Sequence, residues 1–219
     1  MLERVLEPEV MNDRDEAMEY DSMDHSAVNR DFVLDLIAAG PLGEDCLDLG
    51  TGTALIPVEL CKQNTDVRVM ASDASTIMLD LARYHLEVQG LMHRVQLQVA
   101  NATDLLFQKD YFDTVLSNSL AHHLPSHESF LPEALRVLRT GGLLFIRDLC
   151  RPVSLDALKS LVAHHAANEN DQAKQMLRQS LHAALTLEEI RDLANAAGLE
   201  SDCVSMTSDR HWTLSTRKK

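Results

Sequence analysis

Asp48-Leu49-Gly50-Thr51-Gly52-Thr53-Ala54 decides how this chain of 219 residues is read. Cys46-Leu47-Asp48-Leu49 has the look of a short buried strand. Residues 54–62 have the look of a helix, with Pro57 tolerable only in its first turn. Glycines at such a junction let the backbone turn sharply and let a ligand approach the main chain. The helix N-terminus adds oriented N–H donors. Taken alone, Gly-x-Gly is weak evidence, and several readings compete. A dinucleotide fingerprint needs Gly or Ala at position 55; the chain has Leu55, whose isobutyl group would crowd a pyrophosphate. A ligand without phosphate meets no such objection. The third reading is a glycine turn that holds nothing.

Outward from this loop, strand and helix patterns alternate. Strands are predicted at residues 67–71, 95–99, 112–117 and 143–147, with helices at 76–89 and 128–138 and a turn at 139–142. Upstream, Val28, Phe32, Val33, Leu36 and Ile37 have helical spacing over residues 26–39, stopped by Gly40-Pro41. Repeated strand–helix units imply a parallel sheet with helices on both faces. The tail differs. Residues 154–185 form a helical insert rich in Ala, Gln and His, and residues 186–197 a further helix opened by a Thr186/Glu189 capping box. Two strands near 202–207 and 211–215, linked by Ser208-Asp209-Arg210, make a hairpin. The expected fold is α/β: a doubly wound, mostly parallel seven-stranded sheet with an antiparallel last strand. One domain over residues 1–219 suits the length. Its acidic first residues are expected to be mobile.

The motif Asp48-x-Gly50-x-Gly52-x-Ala54 after the first strand resembles that of the class I S-adenosylmethionine-dependent methyltransferases, a Rossmann-like family. The likeness is greatest to the group containing ubiquinone/menaquinone-biosynthesis methyltransferases, and it runs from about residue 20 to 214. It implies S-adenosylmethionine as cofactor and S-adenosylhomocysteine as product. Asp73, ending the second strand, stands where the family places an acid that accepts both ribose hydroxyls; the plain alternative is a helix cap. Ala74 follows it, and Ile77 or Met78 would lie against the adenine. Asn101-Ala102-Thr103-Asp104-Leu105 matches a family pattern whose first acid reads the adenine amino group. Asn101 takes that place, and its amide oxygen can still accept. Asp104 reads as a local turn residue. Ser117-Asn118-Ser119-Leu120-Ala121-His122-His123 matches the segment beside the transferable methyl. Residues 135–142 resemble the family's helix-to-strand turn, with Thr140 for the usual Pro. The implied cofactor set is Tyr20, Asp48, Gly50, Thr51, Gly52, Asp73, Ala74, Met78, Asn101, Ala102 and Ser117.

The acceptor is less legible. Residues 1–25 are expected to close over the cofactor and residues 154–185 to form a lid, which suits a small molecule by analogy of fold. Asn118, His122, Arg147 and Arg210 are the candidate acceptor-side residues. Two arginines would suit an anion, unless they pair with Asp148, Asp209 or other acids. His122 is the candidate general base, since an imidazole titrates near neutral pH; His123 falls where relatives carry a structural histidine. A methyltransferase acting on protein or RNA, and a non-catalytic binder of the cofactor, are the competing functions. The net charge of −14 disfavours nucleic acid and an anionic membrane surface as partners. No metal is expected despite ten histidines, because adjacent pairs such as His122/His123 diverge on a helix. Cys46, Cys61, Cys150 and Cys203 have no C-x-x-C spacing, and no leader pattern precedes them, so a cytoplasmic setting with free thiols is expected.

Overall fold

The structure, a computed structural model, describes residues 2–7 and 13–219, the side chain of Glu16 excepted. Helices α1 (Arg14–Ser22) and α2 (Ser26–Ala38) precede β1 (Asp45–Leu49), α3 (Leu55–Gln63), β2 (Arg68–Asp73), α4 (Thr76–Val88), β3 (Val95–Val99) and β4 (Phe112–Asn118). A 3₁₀ turn at Ala121–His123 leads to α5 (Phe130–Val137), β5 (Leu138–Leu149), α6 (Leu155–His165), α7 (Asp171–Ala183) and α8 (Leu187–Ala196). The strands β6 (Val204–Met206) and β7 (His211–Arg217) come last. The sheet has seven strands in the order β3-β2-β1-β4-β5-β7-β6. β1 runs parallel to both β2 and β4, β2 parallel to β3, and β6 antiparallel to β7. This is the expected mixed α/β sheet. Among the described residues no helix is long and apolar enough to cross a membrane.

The chain groups into two compact units. One comprises Val10–Asn118, Ser129–Ile146 and Ser215–Lys219. Its core joins Phe32, Val33 and Leu36 of α2, Ile56, Val58 and Leu60 of α3, Val69 and Ala71 of β2, and Phe145 of β5. Pro57 sits at the third position of α3, where no intrahelical N–H bond is lost. Ser75 caps α4, its Oγ accepting from the Met78 N–H at 3.3 Å. This cap is Ser75 and not Asp73. The other unit comprises Met1–Glu9, Ser119–Glu128 and Arg147–Leu214. Leu149, Leu158, Val162, Leu181 and Ala184 form an apolar cluster there, with Leu2 and Leu177 against it.

Three local expectations need correction. The turn predicted at residues 139–142 is part of strand β5. Its partner is the C-terminal end: Gly141 N–H donates to the Lys218 carbonyl at 2.7 Å and Lys218 N–H to the Gly142 carbonyl at 3.0 Å. The helical stretch 154–185 is broken into α6 and α7, because Asn170 starts a new helix by accepting from the Ala173 N–H at 2.8 Å. Leu2–Glu7, expected to be mobile, is hydrogen-bonded: Val5 N–H donates to the His182 carbonyl at 3.2 Å and Arg4 Nε to the Ala183 carbonyl at 2.6 Å.

Candidate functional site

The glycine loop follows β1 through three left-handed residues, Gly50 at φ 69°, Gly52 at φ 56° and Ala54 at φ 61°. Only glycine adopts such angles without cost, which explains two of the three. The loop is tied on three sides. Thr51 N–H donates to the Ser72 carbonyl at 2.9 Å, and Thr51 Oγ1 donates to Asp48 Oδ2 at 2.7 Å. Gly52 N–H donates to Asp73 Oδ2 at 2.9 Å. Asp73 Oδ1 accepts from Ser75 N–H at 2.8 Å. The Asp73 carboxylate at the end of β2 thus fixes the loop three residues past the end of β1. Burial pushes its pKa up against the pull of these backbone donors. Asp48 is 1 % exposed, and burial pushes it up to about 7 despite the Thr51 hydroxyl.

Other expected cofactor residues lie in the same unit. The Met78 Cε is 3.4 Å from where a Cβ on Gly52 would stand, which puts the thioether against the loop. Tyr20 is carried on α1, and the neighbouring Asp21 accepts from His85 Nε2 of α4 at 2.8 Å. Burial raises the Tyr20 phenol, and the Asp73 and Asp21 charges add to that. Ser117 Oγ donates to the Leu49 carbonyl at 2.8 Å, joining the ends of β4 and β1. Ala102 is buried beside exposed Asn101. The Asn101 amide oxygen already accepts from Thr103 N–H at 2.9 Å and Thr103 Oγ1 at 2.8 Å. An adenine amino group would have to displace one of these.

The acceptor-side candidates, Asn118 apart, belong to the other unit and look different from their sequence reading. Arg147 is 8 % exposed and its Nε donates to Thr213 Oγ1 at 2.9 Å. Arg210 is hydrogen-bonded to His165 Nδ1 and lies 3.8 Å from Asp209 Oδ1. The pairing alternative therefore describes Arg210, and neither guanidinium is an uncommitted anion receptor. His122 is buried. Its Nδ1 meets Asp148 Oδ1 at 2.5 Å and its N–H donates to Asp148 Oδ2 at 3.2 Å. Its Nε2 faces Glu7 Oε1 at 3.3 Å. Burial lowers the His122 pKa, but Asp148 and Glu7 outweigh it and the net shift is upward. Burial disfavours the Asp148 carboxylate, yet the His122 charge and hydrogen bond hold it below the usual range.

His122 and His123 were expected to diverge. On the 3₁₀ turn their ring centroids are 4.2 Å apart, and His123 Nδ1 also lies 3.2 Å from Glu7 Oε1. Glu7 and Asp148 escaped the sequence reading as site residues. Glu7 sits among other acids near the N-terminus, and Val5 and Leu6 beside it stay half-exposed while Leu2 makes the apolar contact, so no pattern around Glu7 marks it.

Residues 47–146 match the family described as a methyltransferase domain. The ubiquinone/menaquinone biosynthesis C-methyltransferase UbiE of Vibrio campbellii is 30 % identical over 131 residues, covering 59 % of this chain and 50 % of that protein. The chain spans about half the length of the first such relatives it matches. A methyltransferase structure from Aquifex aeolicus superposes with a TM-score of 0.69 at 18 % identity, over 93 % of this chain and 97 % of the other. A Haemonchus contortus phosphoethanolamine N-methyltransferase 2, solved with phosphomonomethylethanolamine and S-adenosylhomocysteine, gives a TM-score of 0.59 at 24 % identity over 77 % and 36 % of the two chains. S-adenosylmethionine is the methyl donor of the matched family. The methyltransferase-domain match thus spans the β1–β5 part of the chain, and the chain as a whole has the fold of the solved methyltransferases.

Proposed function

We propose that this chain transfers the methyl group of S-adenosylmethionine to a small-molecule acceptor. The observation that carries the donor assignment is the Asp73 carboxylate clasping the Gly52 N–H. A carboxylate offers about four lone-pair sites; Gly52, Ala74 and Ser75 N–H groups act on this one, so a ribose hydroxyl takes the remaining site and the second hydroxyl shares or displaces a backbone donor. Tyr20, Asp48, Gly50, Thr51, Gly52, Ala74, Met78, Asn101, Ala102 and Ser117 complete the proposed donor site. The glycines keep the main chain open to the ligand. In the reaction the S–CH₃ bond breaks as the acceptor atom bonds to the carbon. The sulfonium becomes a neutral thioether, and the acceptor's proton, where it has one, goes to a base or to water. The donor is already activated, so alignment in a dry site is the largest task.

The name of the UbiE relatives, which concerns quinone biosynthesis, supports a small organic acceptor. The charge of −14 weighs against a nucleic acid. Four free thiols support a cytoplasmic setting. Calorimetry with S-adenosylhomocysteine should give one site of micromolar or tighter affinity. A metabolite extract incubated with methyl-labelled donor should yield a labelled small molecule. Binding of a nicotinamide cofactor instead would overturn the donor assignment; label appearing only in protein or RNA would overturn the acceptor class.

A further inference from the structure

We propose that Glu7, His122 and His123 bind a divalent transition cation of the zinc class, through Glu7 Oε1, His122 Nε2 and His123 Nδ1. These three atoms lie within 4.8 Å of one another. The two distances to Glu7 Oε1 are 3.3 Å from His122 Nε2 and 3.2 Å from His123 Nδ1. Donors at the usual ~2.0–2.1 Å from a tetrahedral ion stand roughly 3.3–3.4 Å apart, so both spacings to Glu7 Oε1 suit an ion shared with each imidazole.

Three further observations converge on the same point. Glu7 has a side chain only 9 % exposed, and its Oε1 accepts no hydrogen bond. A buried carboxylate oxygen without a donor is costly unless a cation meets it. Second, Asp148 takes the Nδ1 side of His122, which sets the tautomer that leaves the Nε2 lone pair facing Glu7. A carboxylate behind a ligating imidazole is the usual support of such a ligand. Third, the neighbouring Arg4 guanidinium donates to the carbonyls of Ala183, His122 and Leu124, and none of its N–H groups satisfies Glu7 Oε1.

The donor set is two imidazoles and one carboxylate. That favours zinc-like ions over magnesium or calcium, which prefer all-oxygen shells. Three protein ligands leave a fourth position for water or a ligand oxygen, as in catalytic and not structural zinc sites. A cation on Nε2 would occupy the lone pair that a general base needs, so His122 acts as a ligand here and not as a free base.

The test uses the full-length chain, stripped with a chelator, dialysed, and titrated with Zn²⁺ against a chromophoric competitor. One equivalent should bind with micromolar or tighter affinity, and Mg²⁺ should not compete. Glu7→Gln and His123→Ala should each weaken zinc by at least ~10-fold, and Asp148→Asn by ~10–100-fold. His93→Ala, an exposed histidine elsewhere, should change nothing. Circular dichroism and the S-adenosylhomocysteine affinity report that each variant is folded. Absence of stoichiometric uptake overturns the proposal, as does uptake undiminished in folded Glu7→Gln and His123→Ala.

Discussion

Asp73 carries two demands on one carboxylate: it holds the glycine loop through Gly52 N–H, and in the proposed reading it also receives the ribose. Asp73→Ala removes both. A charge-assisted hydrogen bond is worth ~1.5–3 kcal/mol, so affinity for S-adenosylhomocysteine should fall by tenfold or more by calorimetry. Unchanged affinity would reduce Asp73 to a loop brace. Asp48 makes a different case. Burial raises its pKa from the model-peptide range to about 7, so the folded state prefers it protonated. Its contribution to stability is therefore full below pH ~4, shrinks as the unfolded carboxylate ionises, and is lost by pH ~7. The loss approaches ~4 kcal/mol. Asp48→Asn keeps an acceptor for Thr51 Oγ1 and lacks the titration. In the absence of cofactor, its melting temperature should gain on the wild type between pH 4 and pH 7 and hold a constant lead above that. A lead independent of pH would mean that Asp48 titrates in the fold as it does in the unfolded chain.

At the scale of the element, β5 shows what local pattern reveals and what it hides. Leu143 to Arg147 is apolar enough to be read as a strand from sequence. Arg139-Thr140-Gly141-Gly142 is not, because its pairing partner, Lys218, is distant in sequence. Gly141 keeps a turn-like φ of 80° inside the strand, so the glycine signal was real while the inference of a free turn was wrong. The stretch 154–185 is helical as read, but its division was hidden: Asn170 is an N-cap, visible only once the preceding turn is seen to stop α6. The capping box at Thr186 was legible because its two members are three residues apart and need no partner from elsewhere. Gly142 supplies the element's prediction. A Cβ there would stand 2.7 Å from Leu138 Cδ1 and 2.8 Å from the carbonyl oxygens of Arg139 and Asp113. Gly142→Ala should cost ~1–3 kcal/mol in urea denaturation. Gly90→Ala meets nothing within 4 Å, and its positive φ of 67° should cost about 1 kcal/mol. Equal losses at the two positions would show that β5 yields to accommodate a methyl group.

For the whole molecule, the division into two units explains which half of the chemistry could be read in advance. The proposed donor-site residues Asp48 to Gly52, Asp73, Met78 and Asn101 fall in the unit that holds β1–β4, at or soon after the ends of β1, β2 and β3, and motifs of that kind survive as short contiguous strings. The other unit is assembled from Met1–Glu9, Ser119–Glu128 and Arg147–Leu214, so Glu7, His122 and Asp148 come from three separate pieces. No spacing rule joins them. Because each candidate site draws its ligands from a single unit, the two should fail separately. Gly52 lies at φ 56°, where any side chain is strained and would also stand against Met78. Gly52→Val should abolish the rise in melting temperature that S-adenosylhomocysteine produces by mass action, yet still take up one equivalent of Zn²⁺. Glu7→Gln should do the reverse, losing zinc while keeping cofactor binding within about twofold. Loss of both ligands in either variant, in protein shown to be folded by circular dichroism, would mean that the two sites are energetically one.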